Sequence, residues 1–355
     1  MCNINRGTSL SDLLCNTHII IIDEVTMLNK MVIEAVDRTL QDIRKVCKPF
    51  GGIPVVMSGD FKQCLPIVPG QGRNGISSSI LKRSHLWKGL EKCTLTQSMR
   101  LRPGLEYWHK YLEDLGNGVL NNMSDDVELK HVEITPSINE LINRVFPDLY
   151  STPLDNVILC PLNSSVNAIN DMIIDEIPGQ STTYTSIDSS LSEDGQATYP
   201  VEFLNTVNIG SLPPHKLKLK VGTPIIVLRN INHPIMVNGT RAIVSRLHRN
   251  TIEAFNKNGT MILIPRITLV PTDASNGIIF RRKQFLVRPC YSMTINRAQG
   301  QDMITIVGLD LRSECFNHGQ LCVALSRTHD PKDILVLSSR GNIAKNPVFK
   351  DCLHN

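Results

Sequence analysis

Unbroken aliphatic runs, each too short for a helix and bounded by polar residues, mark candidate buried strands along the chain. The first lies in residues 18–24, where Ile19, Ile20, Ile21 and Ile22 lead without alternation into Asp23 and Glu24. Such a run predicts a strand buried on both faces, as in a parallel sheet covered by helices. Over residues 26–46 the apolar positions Met27, Met31, Val32, Ala35, Val36, Leu40, Ile43 and Val46 recur near helical period and predict a crossover helix. Pro49, Phe50, Gly51 and Gly52 stop it, and residues 53–57 make a second run ending in Ser58, Gly59 and Asp60. The result is one βαβ unit with carboxylates beyond both strands. In open parallel sheets ligands bind at that edge, so Asp23, Glu24 and Asp60 are expected to share one crevice.

Further along, residues 80–118 read as helical with a break at Pro103 and Gly104, 138–146 as an amphipathic helix, and 156–160 as a third buried strand. Residues 181–200, rich in Ser, Thr, Asp and Gly, read as a surface connection. From Lys216 to Val221 the alternation has period two, which places Lys216, Lys218 and Lys220 on one strand face. Short strands at 225–229, 241–247, 252–255 and 260–264, with turns at Asn238-Gly239 and Asn258-Gly259, predict a small β-barrel or meander. Buried strands return at 304–309 and 334–337. Residues 70–75 satisfy G-x-G-x-x-G, but no strand leads into them and they read as a loop.

Composition narrows the class without naming a function. The 355 residues carry a formal charge of +4, 41% hydrophobic and 20% charged residues, which excludes wholesale disorder and a small disulfide scaffold. Length alone predicts two or three domains. None of the ten cysteines forms a C-x-x-C pair, so they read as reduced and mostly buried thiols. The four-isoleucine run falls far short of a membrane span, and the N-terminus has no signal-peptide h-region. An intracellular protein with no membrane partner is expected, the nucleus being the expected compartment.

Asp23-Glu24 after an aliphatic strand has the form of a Walker B element, in which the Asp holds Mg²⁺ and the Glu polarises the attacking water. Strand ends also carry acidic residues that merely cap the next helix. The block from Cys47 to Val68, which contains Phe50-Gly51-Gly52 and Ser58-Gly59-Asp60-Phe61-Lys62-Gln63, decides between these. It closely resembles the signature and third helicase motif of the PIF-one-like DNA helicases of superfamily one. Further blocks resemble the same family in the same order: Leu95 to Arg100, Leu219 to Gly222 with Val237 to Thr240, Met293 to Gln301, and His318 to Arg327. Within the family the chain is most similar to the helicase portion of Helitron transposon proteins, in Gln63-Cys64-Leu65-Pro66, residues 184–189 and residues 280–285.

The resemblance implies an α/β fold: a P-loop NTPase (RecA-like) helicase core, parallel sheets with helices on both faces, and a small β-barrel insert. It divides the chain into part of a first RecA-like domain (1–102), a second (103–215 and 286–355) and the insert (216–285). It implies ATP-dependent 5′ to 3′ movement on single-stranded DNA, unwinding at duplex junctions, with ATP and Mg²⁺ as cofactors. Asp23 would serve Mg²⁺ and Glu24 the hydrolytic water, with Asp60 beside the nucleotide. Gln63 would sense the γ-phosphate, and Arg100 and Arg327 would be arginine fingers. Gln299 and Gly300 would line the nucleotide cleft. Thr294, Asn296 and Arg297, together with Lys220, would lie near DNA, Arg297 standing where the family usually has Lys. The tract Arg281-Arg282-Lys283 is explained as well by solvated charge as by DNA.

The 355 residues contain no Gly-Lys dipeptide and hence no G-x-x-x-x-G-K-[ST]. The family resemblance starts partway into the first RecA-like domain, which places the expected P-loop upstream of Met1 and makes this chain alone a poor ATPase. The alternative is a non-catalytic nucleic-acid-binding remnant of a transposon helicase.

Overall fold

The computed structural model describes residues 2–97, 99, 102–149, 154–190, 199–207, 209, 212–270, 278–301 and 304–353. The chain divides into two compact units, the first made of residues 1–131, 314–330 and 342–355, the second of 132–313 and 331–341.

In the first unit the strands Ile20–Ile22 and Val55–Met57 pair in parallel, Ile20 opposite Val55 and Ile22 opposite Met57. The helix Lys30–Arg44 crosses between them, opened by Asn29, whose Oδ1 accepts from the Met31 amide, and closed at Lys45 in the left-handed conformation. Its apolar stripe of Ile33, Leu40 and Ile43 is buried, and Phe50, Ile53 and Leu81 pack into the cluster it joins. Ile20, Ile22, Val55 and Met57 face that cluster, but Ile21 is 71% exposed and Val56 52%. The first strand is therefore buried on one face only, because no described residue covers the other.

Two further expectations fail here. Among the described residues of the stretch 80–118 only Glu106–Gly116 is α-helical; Leu81–Arg83 and His85–Gly89 are short 3₁₀ turns, interrupted where Ser84 Oγ accepts from the Leu86 amide. Of residues 70–75, 70–72 are a loop but 73–75 open the helix Arg73–Ser79, anchored by the Arg73–Asp351 ion pair and by Ile76 packing with Phe349 and Cys352.

The second unit holds a five-stranded parallel sheet in the order Ser292–Thr294, Asn156–Cys160, Ile306–Leu311, Ile334–Ser338, Glu133–Ile134. Every residue of Asn156–Cys160 is buried, as an unbroken aliphatic run requires. The helices Ile138–Val145 and Asn163–Glu176 contribute Leu141, Val145, Ile169 and Ile173 to the core. Gly308 permits the close packing: a Cβ there would sit 2.9 Å from both Ile158 Cγ1 and Val145 Cγ2.

A seven-stranded sheet occupies the rest of this unit, its consecutive strands Pro224–Val227, Arg241–Leu247, Thr251–Asn256, Met261–Leu269 and Phe280–Phe285 paired antiparallel in chain order. Residues 181–190 are not a surface connection. Ile187–Ser190 is the last strand of this sheet, while Thr182–Thr185 pairs with Lys216–Leu219. Tyr184, Leu217, Leu219, Ile225, Val244 and Phe285 share one core. Among the described residues no helix is long and apolar enough to cross a membrane.

Candidate functional site

The parallel register that sets Ile22 opposite Met57 also brings Asp23 beside Ser58. Ser58 Oγ and the Glu24 amide both donate to Asp23 Oδ1, the latter at 2.9 Å. The Ser58 bond first, and the Glu24 amide second, hold the Asp23 carboxyl below its ordinary range, so it is an anion near neutral pH. Oδ2 is left for another partner. Glu24 follows with φ +52, a left-handed conformation that a Glu adopts only when its surroundings impose it. Here the Val25 amide is tied to the Ser58 carbonyl at 2.8 Å and the Ser58 amide to the Ile22 carbonyl at 3.0 Å.

Asp60, beyond the neighbouring strand, accepts from the Lys62 amide through Oδ1 at 2.9 Å and from Gln63 Nε2 through Oδ2 at 3.3 Å. Gln63 is thereby oriented, and its Oε1 is buried without a hydrogen-bond partner among the described residues. An acceptor left bare in this way suits an attacking water or a protonated phosphate oxygen.

The segment carrying Arg327 belongs to the same unit and is fixed against this loop. Gly319 has φ +74, and a Cβ there would lie 2.3 Å from the Gln63 carbonyl carbon, so only glycine permits this backbone contact. His318 Nε2 donates to the Phe61 carbonyl at 2.7 Å, and the Phe349 amide donates to its Nδ1 at 2.8 Å. From Gly319 the helix Gln320–Leu325 leads to Arg327, which is 1% exposed, with Nε donating to the Val323 carbonyl at 3.1 Å. Burial pushes the Cys64 thiol up to about 12, Cys322 and Glu24 adding to the rise and Arg327 opposing it. Glu24 and Arg327 thus lie within electrostatic reach of one buried thiol. Asp23, Glu24, Asp60, Gln63 and Arg327 all fall in the first unit, whereas Arg100 lies outside the described residues.

Because both ring nitrogens of His318 are used by a neutral imidazole, protonation breaks the Phe349 bond. Burial lowers its pKa from the ordinary 6.5, outweighing the Phe61 bond and Asp60. A histidine depressed in the folded state contributes stability that is complete above its unfolded value and is lost as pH falls toward the folded one, at up to ~1.4 kcal/mol per pH unit. Urea midpoints should therefore drop more steeply between about pH 7 and about pH 5 in the wild type than in His318→Gln. His215, also depressed by burial, adds the same slope to both proteins. Equal slopes would exclude His318 as the titrating group.

The remaining candidates lie in the second unit. Thr294 ends the strand Ser292–Thr294 and opens the short helix Ile295–Ala298, which holds Asn296 and Arg297, both partly buried. Burial lowers the Arg297 pKa. Gln299 is 7% exposed, and Gly300 has φ +74. Lys220 is turned inward: its Nζ donates to the carbonyls of Ile177 and Asp175, the latter at 3.3 Å, at the end of the helix Asn163–Glu176. Arg282 is not solvated at all, at 1% exposure, and pairs with the fully buried Asp188, Nη2 to Oδ2 at 2.7 Å. Arg281 and Lys283 on either side are exposed. Two residues escaped the sequence reading. Ser58 was legible from strand register, one position beyond the strand paired with that of Asp23. Arg288, a lone charge inside the apolar run 285–289, was legible only as an oddity.

No cluster of three His, Cys, Asp or Glu able to hold a metal occurs among the described residues. A divalent ion fits here only as magnesium is usually held, by one carboxylate together with substrate phosphates, and the free oxygen of Asp23 and the bare Gln63 acceptor are consistent with that.

Comparison with known proteins follows the same lines. The PIF1-like helicase family matches residues 1–126, and the 2B domain of DNA helicase Pif1 matches residues 202–247. The chain is 24% identical over 348 residues to the ATP-dependent DNA helicase PIF1 of Xenopus laevis, covering 94% of this chain and 49% of that protein. It is 27% identical over 238 residues to the ATP-dependent DNA helicase Pif1 of a Psychrobacter species, covering 67% of this chain and 33% of the relative. The chain thus spans half or less of these relatives. Among solved structures, Bacteroides Pif1 bound to single-stranded DNA superposes with a TM-score of 0.69 at 23% identity, covering 94% of this chain and 74% of that one. These structural neighbours share the RecA-like helicase fold.

Proposed function

We infer that this chain, which belongs to the PIF1-like helicase family, is the part of an ATP-dependent DNA helicase that carries the hydrolytic carboxylates and a DNA track. The observation that carries the reading is the assembly of Asp23, Glu24 and Gln63 in one unit with the Arg327 segment, whose Gly319 lies on the Gln63 backbone. Bound Mg²⁺ would neutralise charge on the triphosphate. Asp23, ionised by its hydrogen bonds, would hold it. Glu24 would accept the proton of the attacking water, with Gln63 Oε1 orienting that water. Arg327 would answer to charge on the transferring phosphoryl group, and Arg100 and Asp60 would complete the nucleotide side. In the second unit Gln299 and Gly300 would face the nucleotide, while Thr294, Asn296 and Arg297 would contact single-stranded DNA. Lys220, its ammonium held on two carbonyls, would act near DNA by supporting the strand it ends. The finer reading includes 5′ to 3′ movement, action at duplex junctions, a second RecA-like domain at 103–215 and 286–355, a barrel insert at 216–285, and kinship with Helitron helicases. A structure of Bacteroides Pif1 in complex with ADP-AlF3 and single-stranded DNA supports a nucleotide and a DNA strand as the ligands.

The test is phosphate release with and without single-stranded DNA, on this chain and on the same chain joined behind a P-loop-bearing segment. In the joined protein Glu24→Gln should lower DNA-stimulated turnover at least about a hundredfold, as loss of a general base does. Turnover surviving that change would refute the role of Glu24. A second reading makes the chain a non-catalytic DNA-binding protein. That reading requires salt-sensitive strand binding with no turnover in either protein.

A further inference from the structure

Two buried arginines of the second unit hold the same connecting segment in different electrostatic company. Arg282 donates to the carbonyls of Leu204, Val207 and Pro213, and its charge is met by Asp188. Arg288, 9% exposed, donates through Nη2 to the Leu212 carbonyl at 2.6 Å and to that of Ile209 at 3.4 Å. No described carboxylate lies within ion-pair distance of it, and its Nε is buried with no hydrogen-bond partner among the described residues. An uncompensated buried cation is costly, so an arrangement of this kind implies a missing anion.

Arg288 lines a cavity of about 170 Å³ whose wall also includes Arg297, Lys216, Lys218 and Thr294, with Asp171 as its one carboxylate. Lys218 pairs with Asp175, while burial raises the Asp171 pKa and Lys218 opposes that rise. At ~30 Å³ per liquid water the cavity holds a phosphate group with some of its hydration. Burial lowers the Arg288 pKa to about 10, the nearby charges of Arg297 and Arg282 adding to the effect, so an anion placed beside Arg288 would relieve both.

We propose that this cavity is a phosphate-binding pocket for one phosphodiester of single-stranded DNA, with the Arg288 guanidinium as its buried donor and Arg297 at its side. The proposal rests on the helicase reading and adds a residue and a fixed register to it. Arg288 would read the backbone and no base, so it would position the strand without specifying sequence. An anchored linkage next to Thr294 would fix where each nucleotide step begins.

The experiment is equilibrium binding of a labelled oligothymidylate to the full chain, with a neutral methylphosphonate moved one linkage at a time along the strand. In the wild type one linkage should stand out by a loss of about tenfold, the scale of a charge-assisted hydrogen bond. Arg288→Gln should lower affinity by a similar factor, make the salt dependence shallower by ~0.7 in log–log slope, and abolish the linkage-specific loss. Arg288→Lys, which keeps the charge and loses Nε–H, should keep the slope while losing part of the affinity; it carries the test if the Gln variant does not fold. A wild type that binds DNA, with the same slope and linkage profile as both variants, would overturn this proposal alone. Competition by inorganic phosphate without any linkage-specific loss would overturn it too, by assigning the pocket to a free ion. A wild type that binds no single strand would overturn the helicase reading with it.

Discussion

Replacing Arg282 with alanine should destabilise the second unit by about 3–5 kcal/mol, the cost of breaking a buried ion pair from one side. Asp188, with its side chain fully buried, would lose the guanidinium that binds it at both Nε and Nη2. Three carbonyls, of Leu204, Val207 and Pro213, would lose their donor together. What remains near the carboxylate is Ser186, whose Oγ donates to it at 2.7 Å, and His215, whose Nδ1 lies 3.9 Å from Oδ2 and whose pKa burial lowers, together too little to replace the guanidinium. In a thermal melt the transition of this unit should fall by on the order of 10 °C. Pairing Arg282→Met with Asp188→Leu should recover much of the loss, because two apolar side chains leave no orphaned charge. A single alanine variant that melts within about 2 °C of the wild type would rule out the pair as a structural element.

Gly319→Ala should be the most damaging single methyl in the first unit. The added carbon would meet Gln63 backbone atoms at 2.3, 2.5 and 2.8 Å, and backbone cannot swing aside as the tip of a side chain can. The left-handed φ adds strain of roughly 1–2 kcal/mol, and the overlap roughly 1–3 kcal/mol more. Gly70→Ala separates the two, since Gly70 has φ +71 and nothing within 4 Å of its missing Cβ. It should show the conformational cost alone. In the protein joined to a P-loop, Gly319→Ala should also reduce hydrolysis, because the backbone it displaces belongs to Gln63. Equal unfolding free energies for the two alanine variants would show that the close approach is not maintained in solution.

The contrast between these residues explains what the sequence could and could not disclose. Asn156–Cys160 and Ile334–Ser338 are continuous apolar runs, and a pattern confined to adjacent residues was enough to place them. Residues 182–190 were missed because their alternation is written in Thr, Ser and Asp, polar residues that become interior only once Arg282, 94 positions from Asp188, supplies the counter-charge. The same separation hid the true character of the basic tract at 281–283. Asp23 and Glu24 were legible through motif form, but the partnership with Ser58 depends on register between two strands, and the seat of Arg327 depends on a contact between Gly319 and Gln63 far apart in the chain. Lys220 shows the limit of strand periodicity. Alternation assigned it a face with Lys216 and Lys218, yet it stands just beyond the end of the strand Lys216–Leu219, where the chain turns and the ammonium reaches helix carbonyls.

The two-stranded sheet of the first unit bears on how the chain behaves in bulk. Its outward face presents Ile21 and Val56 side by side in register, and neither strand pairs along its outer edge with another described strand. Open edges next to an apolar face template further strands, and natural proteins blunt them with charge, proline or cover. None of Ile20, Ile21, Ile22, Val55, Val56 or Met57 supplies such a guard. Edge pairing between copies would be second order in protein, so light scattering by this chain should rise with its concentration, and Ile21→Lys should suppress that rise.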